Sequence, residues 1–257
     1  MSIVKRGLNT FDIKVIGVIL MVIDHMHEMF FYALPDWLSA FGRPVGTMFF
    51  FVSVVGFSHT RSKRKYLSRL YVGAVIMAIG SLIITNIVPS YGPMNNLGLI
   101  NNIFRDLFLG VVLMYGVDFI DRFMKTKRFS DILAGIGLIL LPILLAIPML
   151  FMAQLPTNVL MAYSSLVPNM MTAESNFMIY IIPLLYIFRE KRLAQVLIIV
   201  LASLISIFAG GIQWLMILAV IPVYFFNGQK GRSMKGFFYI FYPAHIWILY
   251  TISCLIS

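Results

Sequence analysis

Val15-Ile16-Gly17-Val18-Ile19-Leu20-Met21-Val22-Ile23-Asp24-His25-Met26-His27-Glu28 is an apolar run that ends in four ionisable residues within five positions. The apolar part reads as the body of a membrane helix. The polar part lies deep in that helix, where an ionisable side chain costs roughly 2.5 kcal/mol or more to insert. Such groups face a bundle interior or a water-filled cavity, and they mark chemistry or transport.

The rest of the chain agrees with a membrane reading. Of its 257 residues 60% are hydrophobic and only 12% charged, and the mean hydropathy is +0.92. No soluble domain of this size has that balance. A β-barrel would alternate apolar and polar residues in short segments, and these runs do not alternate. The expected class is all-α: a polytopic transmembrane helical bundle, with 1–257 as a single transmembrane domain. The first segment lacks the small-residue cleavage site of a signal peptide. The lone Cys254 excludes an internal disulfide and a cysteine metal site. The ending Cys254-Leu255-Ile256-Ser257 matches a prenylation box by chance.

About nine spans are expected, at 11–33, 44–60, 69–88, 103–120, 130–150, 175–188, 194–209, 212–227 and 236–256, with Gly210-Gly211 as a tight hairpin. Their orientation follows from the basic residues of the short loops. Lys5, Arg6 and Lys14 lie at the N-terminal end, and Arg61, Lys63, Arg64, Lys65 and Arg69 follow span two. Arg122, Lys125, Lys127 and Arg128 follow span four, Arg189, Lys191 and Arg192 span six, and Lys230, Arg232 and Lys235 span eight. These are 18 of the 20 Lys and Arg residues, and nine spans put all of them on one side. The N-terminus is therefore expected in the cytoplasm and the C-terminus outside. The net charge of +10 belongs to this distribution and does not indicate nucleic acid. Arg43 and Arg105 fall on the other side, where Asp36, Asp106 or Glu174 are available as salt-bridge partners. The outer stretch 151–175 is either a lid over a cavity or plain surface loop.

Several constellations carry chemistry. On a helix Asp24 aligns with His27 and Glu28, and His25 with Glu28. At 1.5 Å per residue His25 lies roughly 20 Å along its span, near the midplane. A histidine with a carboxylate neighbour suits general-base work; the plain alternative, an interfacial helix end, fits His27 and Glu28 better than Asp24 and His25. His245 follows Pro243, which removes a helix hydrogen bond and can kink the last span. Its depth matches that of His25, so the two can meet; equally, it can bond a neighbouring helix. A zinc site on Asp24, His27 or Glu28 with His245 lacks a firm third ligand, and no metal is expected. The stretch His59, Thr60, Arg61, Lys63, Arg64, Lys65, Tyr66 and Arg69 reads either as positive-inside topology with anionic-lipid contact or as a cytoplasmic phosphate grip. Asn101, Asn102 and Arg105, opening span four, either bind an acceptor or cap the helix.

These pieces in this order resemble the TraX family of bacterial membrane proteins, nearly end to end. The resemblance rests on Lys14 through Asp24-His25, Gly42-Arg43-Pro44 with Phe49-Phe50-Phe51, and Gly56 to Arg69. It extends to Asn101 through Gly110 and to Phe238-Tyr239-x-Phe-Tyr-Pro-x-His245. The family is named for a protein that N-acetylates a conjugative pilin subunit, and it also looks like a distant relative of the acyltransferase-three group. The resemblance implies acyl transfer across a bacterial cytoplasmic membrane, from cytoplasmic acetyl-coenzyme A to an amine or hydroxyl at the outer side. It implies His25 as general base, Asp24 as an orienting or tuning group, and Arg43 as a stabiliser of developing negative charge or an acceptor ligand. His245 would complete the core, residues 59–69 would hold the coenzyme, and Asn101, Asn102 and Arg105 would meet the acceptor. The expected partners are acyl-coenzyme A, the bilayer and an extracytoplasmic acceptor such as a peptide, pilin or envelope glycan. Rival readings are a proton-coupled transporter using Asp24, Glu28 and His245, against which the absence of an internal repeat speaks, and a non-enzymatic subunit of an envelope or secretion complex.

Overall fold

The computed structural model describes residues 7–95, 98–152, 154, 156–234 and 236–257. Of the basic residues used for orientation, Lys5, Arg6 and Lys235 lie outside the described residues. The described residues are 76% helical, and the β-type pairing among them is an isolated bridge between Leu8 and Phe226.

Among the described residues the α-helices are, in chain order, α1 (Thr10–Met29), α2 (Arg43–Ser58), α3 (Lys63–Ile87), α4 (Ile103–Thr126), α5 (Phe129–Leu144), α6 (Ile147–Met152), α7 (Thr157–Leu166), α8 (Ile181–Ile187), α9 (Arg192–Phe208), α10 (Val220–Tyr224) and α11 (Phe237–Ile256). Tighter 3₁₀ turns at Asp36–Phe41, Asn176–Tyr180 and Gln213–Ala219 lead into α2, α8 and α10. Each of the nine expected apolar segments is helical at its centre. Among the described residues, four helical stretches are long and apolar enough to cross a membrane: Asp36–Ser58, Lys63–Ile87, Phe129–Phe151 and Phe237–Ile256. Three shorter apolar ones are Asn176–Ile187, Arg192–Phe208 and Gln213–Tyr224. Two boundaries depart from expectation. α3 begins at Lys63, so Lys63 to Arg69 are helical and not loop. Residues 157–166, expected in an irregular connection, form α7, a helix with no buried residue.

The chain forms two compact units, one of residues 1–52, 83–99 and 188–257, the other of residues 53–82 and 100–187. In the first, α1 starts at a capping box. Asn9 Oδ1 accepts from the N–H groups of Phe11 and Asp12, and Asp12 Oδ2 accepts from the Asn9 N–H at 2.9 Å. The start of α1 is tied to residues 225–229. Leu8 N–H donates to Phe225 O, Asn227 N–H to Leu8 O, and Thr10 N–H to Gln229 O. α1 and α11 pack together and run the same way: Lys14 lies over the Phe238 ring, His25 meets His245, and Met29 meets Ser253. At the far end Ser253 donates to Met29 O at 2.6 Å. Its single proton is then spent, so Tyr32 donates to Ser253 Oγ at 3.1 Å.

α9 shows what solvent this unit is built for. Its buried positions include Gln195, Ser203 and Ser206, whereas Leu197, Leu201 and Ile205 are 59%, 58% and 66% exposed. A helix with polar groups inward and leucines outward is unfavourable in water and ordinary in lipid. Gly210 and Gly211 follow with φ of +79° and +73°, a conformation that costs glycine nothing. The hairpin expected at this pair is therefore present.

In the second unit α4 and α5 form a hairpin through Lys127, whose φ is +56°. The helices touch at Gly116 and Gly135, where a Cβ on either would sit 3.0 Å from the other's carbonyl oxygen. Leu109, Leu113, Ala173 and Ile179 form a core flanked by Phe108, Ile139 and Tyr180. α8 packs on α4 at Gly110, where a Cβ would come within 2.2 Å of Ile182 Cδ1.

Candidate functional site

The first unit holds all four residues expected to do chemistry, in two pairs. His25 is buried on the α11 side of α1, and its Nδ1 lies 2.8 Å from Nε2 of His245. The ring centroids are 5.0 Å apart and the planes 18° apart. With so short a nitrogen–nitrogen contact, these values describe rings lying nearly edge to edge. His245 Nδ1 lies 2.8 Å from the backbone oxygen of Phe241, one turn earlier on α11. The Phe241 ring stacks on the His245 ring at 4.9 Å and 10°, and Phe237 stacks on Phe241 in turn. Tyr242 approaches both imidazoles edge-on, at 6.2 and 5.7 Å. α11 runs continuously through Pro243.

Adjacent residues diverge on a helix, so Asp24 faces elsewhere. Its carboxylate lies 3.5 Å from the Arg43 guanidinium. Arg43, the first residue of α2, also donates Nε–H to Ser39 O at 3.1 Å and reaches Gln213 Oε1 at 3.5 Å. Asp36, one of the partners expected for an outer arginine, is instead 3.4 Å from His27. No group of three or more metal-binding side chains exists among the described residues. Two residues were missed from sequence. Gln213 gave no signal, being a lone amide in a hydrophobic segment. Gly42 stood in the Gly-Arg-Pro string, but its contact with Asp24 was not legible there.

The second unit holds the basic stretch. His59, Arg61, Arg64, Lys65 and Arg69 are exposed. Lys63 forms an ion pair with Asp118, whose other oxygen accepts from the Tyr186 hydroxyl at 2.7 Å. Lys63 also lies 4.5 Å above the buried Phe57 ring. Arg69 donates Nε–H to Lys65 O on its own helix, Tyr66 pairs with Ser53 at 3.2 Å, and His59 Nδ1 donates to Val55 O. Thr60 is half-buried where α2 ends. Arg64 and Lys65 are thus the exposed cations side by side on α3.

Asn102 and Arg105 hydrogen-bond to residues of the 164–175 stretch. Asn101 and Asn102 are buried. The Asn102 N–H donates to Glu174 and its side-chain amide to Ala74 O. Arg105 donates to Thr172 O at 2.7 Å and to Ser164 O at 3.0 Å. Asp106, with no exposed surface, accepts from the N–H groups of Glu174 and Ser175 at 2.8 and 2.9 Å. These contacts fix the 164–175 loop onto the start of α4.

A family model described as TraX protein matches residues 10–253 of the chain. No curated protein and no solved structure matches it.

Proposed function

The chain belongs to the TraX family, and from that premise we propose that it is an integral-membrane acyltransferase. It transfers acetyl from cytoplasmic acetyl-coenzyme A to an amine or hydroxyl at the outer side of a bacterial cytoplasmic membrane. The observation that carries the reading is the buried His25–His245 pair on α1 and α11, with the Asp24–Arg43 pair next to it on the chain. A buried imidazole hydrogen-bonded through one nitrogen has the other available to take a proton.

An imidazole nitrogen of His25 takes the proton of the acceptor N–H or O–H. The lone pair so freed attacks the thioester carbonyl carbon, and the carbonyl π electrons move to oxygen. When the carbonyl re-forms, the carbon–sulfur bond breaks, sulfur leaves as thiolate, and His25 returns the proton to it. Arg43 offers positive charge for the oxyanion or holds the acceptor. Asp24 fixes Arg43 in place. The coenzyme phosphates are assigned to the exposed cations of 59–69, foremost Arg64 and Lys65.

The parallel course of α1 and α11 supports an odd number of crossings, and with it termini on opposite sides, the N-terminus in the cytoplasm. The test is the thermal stability of detergent-purified full-length protein with acetyl-coenzyme A, desulfo-coenzyme A or ATP. A ligand that binds only the folded state raises apparent stability by mass action. Stabilisation by acetyl-coenzyme A beyond ATP is expected. None up to millimolar ligand, in folded protein, would turn the reading toward a transporter or a non-enzymatic subunit.

A further inference from the structure

Phe241, His245 and His25 form a hydrogen-bond chain whose direction can be read. A backbone carbonyl only accepts, so His245 Nδ1, 2.8 Å from Phe241 O, carries a proton and donates it. In a neutral imidazole the other nitrogen is then bare, so His245 Nε2 is an acceptor. Its partner at 2.8 Å, His25 Nδ1, therefore carries the proton of that bond. The remaining nitrogen, His25 Nε2, is left with the lone pair. It has no hydrogen-bond partner among the described residues.

We infer that Nε2 is the atom of His25 that receives the acceptor's proton, and that His245 is a positioning residue holding His25 in the tautomer this requires. The inference rests on the acyl-transfer reading. An unconstrained imidazole samples both tautomers, and only one has the lone pair on Nε2. Phe241 fixes His245 twice, through its carbonyl oxygen and through the stacked ring. When the proton arrives, His25 becomes an imidazolium with a donor on each nitrogen. The bond from Nδ1–H to His245 Nε2 survives unchanged and now stabilises the cation. No group needs to turn during the reaction, which is the advantage of a preorganised base. The arrangement places an imidazole and a carbonyl where a carboxylate orients the histidine of a hydrolase triad.

The chain has four histidines, so histidine-selective ¹⁵N labelling of the full-length protein gives a spectrum simple enough to read. The His25 signals are assigned by their loss in His25→Gln. A proton on Nδ1 and a bare Nε2 are expected without any substrate. His245→Gln offers an amide oxygen near where Nε2 stood, and should keep the His25 tautomer with kcat within about tenfold of wild type. His245→Phe fills the space with no acceptor. It should release the tautomer and lower kcat roughly a hundredfold with KM for acetyl-coenzyme A unchanged. A proton on Nε2 in the wild type overturns the inference, as does wild-type kcat in His245→Phe. No stabilisation of folded wild-type protein by acetyl-coenzyme A would overturn the acyl-transfer reading itself. Because the spectra need no substrate, the two failures are distinguishable.

Discussion

Gly42 closes directly on the carboxylate of Asp24: a Cβ at position 42 would sit 1.9 Å from Oδ2 and 2.0 Å from Cγ. The backbone of Gly42 is in an ordinary helical conformation, with φ of −73°. The requirement for glycine there is therefore one of space. The turn that ends at Gly42 and the start of α2 form a wall against which the carboxylate is pressed, and Arg43 is held at the same corner.

Gly42→Ala should push Asp24 off Arg43. Overpacking of this kind costs about 1–3 kcal/mol, so thermal melting should fall and acetyl transfer should drop with it. Gly137→Ala is the control. It lies exposed on α5 with no heavy atom near its Cβ position, and should be neutral or slightly stabilising in the same melt.

His25→Ala should remove at least a hundredfold of turnover, the usual scale of general-base catalysis. Acetyl-coenzyme A should still raise the melting temperature of this variant as it does the wild type. Turnover at the wild-type rate would remove His25 from the mechanism.

Lys63 and its neighbours should separate by phenotype. Arg64→Gln with Lys65→Gln changes two exposed side chains, so it should weaken acetyl-coenzyme A binding without altering thermal stability. Lys63→Gln breaks the pair with Asp118, half-exposed and worth about 1 kcal/mol, and should lower stability. Adding Asp118→Asn should recover part of that loss, which a double-mutant cycle would measure. Equal binding by wild type and the Arg64/Lys65 double variant would move the coenzyme site elsewhere.

Asp106→Asn replaces one of two accepting oxygens by an N–H₂ facing a backbone donor. The cost is about 1–3 kcal/mol, and it falls on the loop that Glu174 and Ser175 anchor. Limited proteolysis should cut between residues 164 and 175 faster in the variant, with little change elsewhere. Unchanged cleavage there would mean that Arg105 and Asn102 suffice to hold the loop.

Residue order makes the membrane character legible and marks the groups that could carry chemistry. Hydropathy over windows of twenty residues reads the length of an apolar run, and length against bilayer thickness makes a run a membrane helix. The cost of ionisable groups inside such runs pointed to Asp24 and His25, and depth arithmetic put His245 level with His25. All of these are properties of one segment at a time, and helical periodicity extends them only to neighbours three and four residues away.

Tertiary structure alone decided which of these groups touch. His25 and His245 are 220 positions apart, and their contact follows from α1 packing on α11. The same holds for Gln213 on Arg43, Gly42 on Asp24 and Asp118 on Lys63. Lys63, which the sequence offers both to topology and to a phosphate grip, forms an ion pair with Asp118. The tautomer of His25 lies furthest from the sequence. It follows from which atom of Phe241 faces which nitrogen of His245, an orientation fixed by ring stacking and helix geometry together. Contacts between distant segments depend on how side-chain shapes fill the space between helices, and residue order along the chain does not encode that directly.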